Sequence, residues 1–273
     1  MAKSPHAKSR AAVRRLSVRG HLGGTIAQHR AIWRQTLPTQ RVLQSVVLAG
    51  AFSALLLWSR PWLEAAWTDT LLWWMHALAL PGRFLPGDPS QGGGLDLVVP
   101  LIVPELPLSD PWSPMRHGAV VLLLWWCSGW FSDAAKPLAF FIRLGALVHG
   151  ASVLFFMFWP ASFTHTVSSH VASGLRQAWY LMLATPWIHL LTYYLFPFAA
   201  WQRVALTLTT LAFLALLTPL QYAVHAALAQ MSGLILLPLL NLVFGVMLPV
   251  VGVVALYGWG MGWRNRGMEA RHV

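Results

Sequence analysis

Acidic residues are almost missing from this chain. Only 8 Asp and Glu occur among 273 residues, and none lies between Asp133 and Glu269. That stretch is built mostly of Leu, Ala, Val, Phe and Trp. A soluble domain of this length would need acidic side chains on its surface, whereas a segment inside a membrane sheds charge because burying a charge in hydrocarbon is costly. The sequence therefore predicts a polytopic membrane protein.

Charge of either sign is scarce, and its distribution is uneven. Charged residues make up 10% of the chain, against roughly 25% in an average soluble domain. Nine of the 19 Lys and Arg precede residue 42, and no acid occurs before Glu64. A basic tail that runs directly into an apolar segment is typical of a cytoplasmic N-terminus and can bind anionic lipid headgroups. We therefore expect membrane lipid, and not nucleic acid, as the partner of this tail.

Cysteine is represented by Cys127 alone, which excludes an intramolecular disulfide. No secretory cleavage site follows the first apolar segment, so residues 42–58 are interpreted as a retained signal anchor. A Walker motif is also missing, so any nucleotide hydrolysis would come from a partner. No motif in the sequence predicts a catalytic residue.

Six segments are long and apolar enough to cross roughly 30 Å of hydrocarbon as helices. They are residues 42–58, 115–131, 138–160, 179–200, 204–222 and 234–257. The sequence thus predicts an all-α membrane protein with about six transmembrane helices. Short connections lead us to expect that the second and third spans, and likewise the fourth and fifth, pack as antiparallel hairpins.

The loop charges predict that both termini lie in the cytoplasm. The compact loops, the basic tail and the lack of a transit-peptide pattern favour a bacterial inner membrane, and the Arg-rich start leaves an organellar membrane as the alternative. Six of the 8 acids fall in the first loop, residues 59–114, which is then periplasmic. The predicted organisation is a basic cytoplasmic tail over residues 1–41, the first helix over 42–58 and this outer loop. A five-helix membrane bundle over 115–260 and a cytoplasmic tail over 261–273 follow.

The outer loop has two parts. Residues 62–80 have apolar positions at helical spacing, which favours a helix lying on the outer membrane surface. Residues 95–107 contain three prolines, so they are expected to be extended, either polyproline-like or an edge strand. We expect this extended segment to bind other membrane or periplasmic proteins through its apolar side chains. Those side chains are Leu97, Val98, Val99, Leu101, Ile102 and Val103.

Histidine is the polar residue type with the most suggestive pattern. His149 and His189 lie near the centres of adjacent predicted spans, so their rings could ligate a haem iron or another metal. His165 and His170 are a second candidate metal pair. Each of these rings could instead hydrogen-bond a neighbouring backbone or hydroxyl group. Asn241 is expected to hydrogen-bond between helices, because an amide in lipid needs a partner.

Three functions are compatible with these patterns. The preferred one is a non-enzymatic subunit or scaffold of an envelope assembly, secretion or export complex, with no cofactor. The second is a redox or metal-binding membrane protein that uses its histidines. The third is the membrane subunit of a transporter energised by a separate ATPase.

Overall fold

The protein is an all-α membrane protein. The computed structural model describes residues 21–22, 25–26, 39–85, 87, 95–105, 112–193 and 198–269, and it is about 85% helical. The chain divides into two compact units, Met1–Gln44 and Ser45–Val273. In the first unit, the strands β1 (His21–Leu22) and β2 (Thr25–Ile26) pair antiparallel. Most of the basic tail predicted over residues 1–41 lies outside the described residues.

The first helix is longer than predicted. Helix α1 (Thr39–Ala77) has 39 residues and continues through Pro61. The helix predicted over 62–80 is therefore present as the second half of α1 and not as a separate element. Its residues are held by packing, since Trp67 is buried and its indole Nε1 donates to the Ala215 carbonyl at 2.8 Å. At 1.5 Å per residue α1 is about 58 Å long, nearly twice the thickness of the hydrocarbon core.

A β-hairpin follows α1. Strands β3 (Gly82–Leu85) and β4 (Leu101–Pro104) pair antiparallel, with Phe84 opposite Ile102. Part of the extended segment predicted at 95–107 is thus a strand of a two-stranded sheet. The side chain of Gln230 donates to the carbonyls of Pro81 and Glu105, at 3.0 and 3.2 Å, and joins the base of the hairpin to the rest of the bundle.

Both predicted helical hairpins are confirmed. Helices α2 (Ser113–Cys127) and α3 (Lys136–Phe158) are antiparallel, and the Arg143 guanidinium donates to the Ser128 hydroxyl at 2.8 Å near their connection. Helices α4 (Val167–Tyr193) and α5 (Ala200–Ser232) form the second pair. The α4–α5 pair carries much of the buried core of the molecule, including Leu175, Trp179 and Tyr222.

The C-terminal segment changes helix type along its length. A 3₁₀ turn (Leu234–Leu236) leads into α6 (Leu237–Leu239), a π-helix (Leu240–Met247) and α7 (Leu248–Glu269). The π-helix ends two residues before Pro249, which has no N–H to donate to a preceding carbonyl. Helix α7 extends into the cytoplasmic tail predicted to begin at residue 261, so that tail starts as helix.

Four helical segments among the described residues are long and apolar enough to cross a membrane. They are Val42–Ala77, Asp133–Phe158, Ala200–Ser232 and Leu234–Trp263. The spans predicted at 115–131 and 179–200 correspond to α2 and the second half of α4, which are not in this set. Helix α2 has only 15 residues, or about 22 Å. Helix α4 carries the polar residues His170, Ser173 and Arg176 in its first half.

Candidate functional site

The α4–α5 interface contains the most polar part of the buried core. Near the start of α4, Nε2 of His170 lies 3.1 Å from Nδ1 of His225 on α5, and the two rings are stacked. Both histidines are buried. One turn further along α4, Gly174 lies so close to the Tyr222 ring that a Cβ atom at this position would overlap it. A direct histidine–histidine hydrogen bond is thus enclosed between two helices.

A second polar cluster lies at the other end of the same interface. Nδ1 of His189 is 3.1 Å from the Thr207 hydroxyl and 3.1 Å from the Tyr193 hydroxyl. The Tyr193 hydroxyl donates to the backbone carbonyl of Arg203 at 2.9 Å. His189, Tyr193 and Thr207 are all buried. The contacts at both ends have the same antiparallel register, in which each turn forward on α4 matches a turn backward on α5.

One face of α5 connects the two clusters. Thr207, Thr210, Thr218, Gln221 and His225 are all buried and recur at helical spacing. At 100° per residue they lie within an arc of about 80°, and they extend over about 27 Å of helix. The hydroxyls of Thr210 and Thr218 donate to the carbonyls four residues before them, as hydroxyls in membrane helices commonly do. We call this set the polar face of α5.

The polar face is interrupted at its middle. Leu214 lies between Thr210 and Thr218 on the same face and is fully buried. The α4–α5 register places Met182 opposite it, and Met182 is buried as well. An apolar pair therefore separates the two polar halves of the interface.

Three buried atoms along this interface have no hydrogen-bond partner among the residues that the structure describes. They are Nε2 of His225, Oε1 of Gln221 and Nε2 of His189. A buried polar atom that stays unpaired costs about 1–3 kcal/mol, so such atoms are normally satisfied by ordered water or a ligand. His225 and Gln221 are four residues apart on α5, which places their side chains side by side.

A second histidine pair joins α2 to α3. Nδ1 of His117 lies 3.0 Å from Nε2 of His149, with the two rings edge to face. The sequence did not predict this pair, because His117 lies near the end of a predicted span and His149 near the centre of the next. The signal that could have identified it is the antiparallel register of the α2–α3 hairpin.

The predicted haem ligands are in separate clusters. His149 contacts His117, whereas His189 contacts Thr207 and Tyr193, and no ring contact joins the two predicted ligands. In-line ligation of one iron would place their nitrogens about 4 Å apart. The structure therefore does not bring these two side chains together as a pair.

The two members of the predicted metal pair lie in different surroundings. His165 is exposed in the connection before α4, whereas His170 is buried against His225. Within the described ranges, no three His, Cys, Asp or Glu side chains are close enough to form a metal site.

The predicted partner-binding segment lies largely inside the protein. Leu97, Val99 and Ile102 belong to the core, and of the six predicted side chains only that of Val103 is exposed, at 41%. The segment is held by hydrogen bonds from distant elements. The Val98 amide donates to Glu64 at 2.8 Å, and the Ser168 hydroxyl donates to the Ile102 carbonyl. Most of these side chains therefore already pack against other parts of this chain.

Among the described residues, no interhelical hydrogen bond of Asn241 is seen. Its side chain is exposed on the π-helix and lies near Gly245 of the same helix.

Helix α2 has an unusual surface. None of its residues is buried, and α3 is its principal neighbour. Large apolar side chains dominate the exposed part of this helix. They are Met115, Val120, Leu122, Leu123, Leu124, Trp125 and Trp126.

Comparison of the chain with protein-family models, curated proteins and solved structures finds no match. The function is therefore argued from the geometry described above.

Proposed function

We propose that this chain is a multi-pass protein of a bacterial inner membrane, with about six spans and both termini in the cytoplasm. Four apolar helices of sufficient length support the membrane assignment. The orientation rests on the basic residues before residue 42 and on the acids collected in residues 59–114. In this arrangement α2 and α4 supply the two remaining crossings, and the neighbouring helices cover the polar half of α4.

Within that membrane, the protein acts as a non-enzymatic subunit or scaffold of an envelope assembly, secretion or export complex. The observation that carries this proposal is the surface of α2. A helix at the edge of a bundle, with no buried side chain and with adjacent Trp125 and Trp126 exposed, presents a broad apolar surface. Tryptophan is enriched among the residues that contribute most to protein interfaces.

The α2 surface replaces the extended segment as the expected partner site. The segment over residues 97–103 is anchored by Glu64 and by Ser168, so its side chains cannot leave the core without unfolding the hairpin. The α2 side chains can be covered by a partner helix without any rearrangement of this chain.

Site-specific photo-crosslinking in native membranes tests this proposal. A photoreactive phenylalanine analogue is placed at Leu122 on α2, where the side chain is 72% exposed. The matched control position is Leu216 on α5, which is 76% exposed and also apolar. Both positions contact lipid if α2 has no partner, so the comparison separates a protein neighbour from the bilayer.

We expect a discrete protein adduct from position 122 and none from position 216. Mass spectrometry of the adduct then identifies the partner. If neither position yields an adduct in membranes that contain the complete native protein complement, α2 faces lipid and the proposal fails.

A further inference from the structure

We propose that the α4–α5 interface is a proton pathway, held closed in this structure by Leu214 and Met182. The pathway follows the polar face of α5 from the His170–His225 pair to the His189 cluster. Ionisable side chains inside membrane helices commonly belong to ion or proton pathways. This inference concerns the interior of the bundle and is independent of the partner surface on α2.

The histidine pair can take up and pass on a proton. When Nε2–H of His170 donates to Nδ1 of His225, Nε2 of His225 carries the second proton of the network and needs an acceptor. The unpaired Oε1 of Gln221, one turn away, is such an acceptor. One water between them can accept from His225 and donate to Gln221.

Transfer through this pair conserves protons. A proton that arrives on His170 gives an imidazolium, which passes one N–H proton to Nδ1 of His225. His225 then releases the proton from its Nε2 to the bridging water, and each ring returns to neutrality. The other titratable side chains around the pair are Tyr222, in contact with both rings, and His165 near the start of α4.

The His189 cluster provides the same chemistry at the opposite end. Nδ1 of His189 contacts two hydroxyls, and its Nε2 is buried without a protein partner. The Thr207 and Tyr193 hydroxyls lie 2.9 Å apart, so each can relay a proton to the other. The titratable rings in contact with His189 are those of Tyr193 and Tyr257. The buried Arg203 guanidinium donates to the Phe198 carbonyl and to the Ser45 hydroxyl.

Leu214 and Met182, at the middle of the interface, limit the rate at which protons can pass along the pathway. Thr210 and Thr218 are eight residues apart, or about 12 Å along the helix, which is too far for a direct hydrogen bond. Water must enter between them for protons to pass, and Leu214 with Met182 fills that space. Hydrophobic constrictions of this kind control conduction by excluding water. A hydroxyl at position 214 would continue the polar face across the gap.

Proton flux into vesicles tests the proposal. The full chain is reconstituted in phosphatidylethanolamine–phosphatidylglycerol vesicles that contain a pH-sensitive dye, and a potassium gradient with valinomycin drives proton entry. We expect Leu214→Thr to raise the flux over the unmodified chain by about tenfold or more, which corresponds to a barrier lower by about 1.4 kcal/mol. Leu216→Thr makes the same change on the exposed face of α5 and should leave the flux unchanged.

A second substitution identifies the route. Adding His225→Phe to Leu214→Thr should return the flux to that of protein-free vesicles, because the first relay is removed. If the Leu214→Thr variant elutes as an aggregate, Met182→Thr opens the same constriction from α4. The proposal is overturned if neither folded variant exceeds the unmodified chain, or if the increased flux persists without His225.

Discussion

The close approach of α4 and α5 makes Gly174→Ala the most informative single substitution. Gly174 lies within α4, and a Cβ atom there would overlap Cζ, Cε1 and the hydroxyl oxygen of Tyr222. Tyr222 is buried, so its ring cannot move aside without displacing other core side chains. The substitution therefore forces α4 and α5 apart at the histidine pair.

The expected loss follows from two opposing effects. Overpacking a core costs about 1–3 kcal/mol, and the overlap with two ring carbons and the hydroxyl oxygen argues for about 3 kcal/mol. Alanine recovers about 1 kcal/mol through its higher helix propensity than glycine. The net loss is then about 2 kcal/mol, which lowers the Tm of a chain of this size by about 4–8 °C.

Thermal unfolding of detergent-purified protein, followed by tryptophan fluorescence, measures this shift. Gly145→Ala is the matched control, because its Cβ would lie 3.7 Å from Leu239 in ordinary contact. We expect its Tm to be equal to or above that of the unmodified chain. In a Tyr222→Leu background, Gly174→Ala should cost little, because the overlapping ring is gone. A Gly174→Ala protein that melts at or above the unmodified protein would refute the α4–α5 register described here.

Three further predictions follow from the β3–β4 hairpin, from Glu64 and from the proposed topology. Ile102→Ala should lower the free energy of unfolding by about 2–5 kcal/mol, and with it the Tm, because the Ile102 side chain is fully buried. Val103→Ala removes an exposed side chain and should leave the Tm almost unchanged. Equal losses of Tm in the two variants would contradict the burial of the segment. Glu64→Ala should lower the Tm through loss of about 1–3 kcal/mol, because it leaves the Val98 amide without its acceptor. Glu64→Gln keeps an acceptor for the Val98 amide and should lower the Tm by less than Glu64→Ala does. An equal fall in Tm for the two variants would refute this hydrogen bond. Green fluorescent protein fused to either terminus should fluoresce in a bacterial host, since both termini are proposed to be cytoplasmic, and a dark fusion at one end would contradict the orientation.

Much of the helical architecture could be predicted from the sequence, because apolar length and short connections are local properties. The α2–α3 and α4–α5 hairpins follow from connections too short to allow any other arrangement. The break predicted after residue 58 is wrong, because α1 continues past Arg60 and Glu64 to Ala77. In the structure these two side chains form an ion pair 2.8 Å apart, and Glu64 also accepts the Val98 amide, so the charges are accommodated while the helix continues.

The candidate site was only partly predictable. His149 and His189 lie inside predicted spans, but their partners depend on helix register and on contacts between distant residues. The burial of residues 97–103 likewise depends on Ser168 and Trp179, which lie far along the chain. The polar face of α5 did have a local signal that was missed. Its polar residues recur at three- and four-residue spacing within a helix that is otherwise mostly apolar.

Affinity purification of the tagged full chain from native membranes in mild detergent, with mass spectrometry of what co-elutes, tests the central proposal most directly. We expect at least one other membrane or periplasmic protein in a fixed ratio to the chain. That protein should be lost from a Leu122→Ala/Trp126→Ala variant that is present at normal levels. A chain that elutes alone from native membranes, with no protein crosslinked to α2, would contradict the assignment as a subunit.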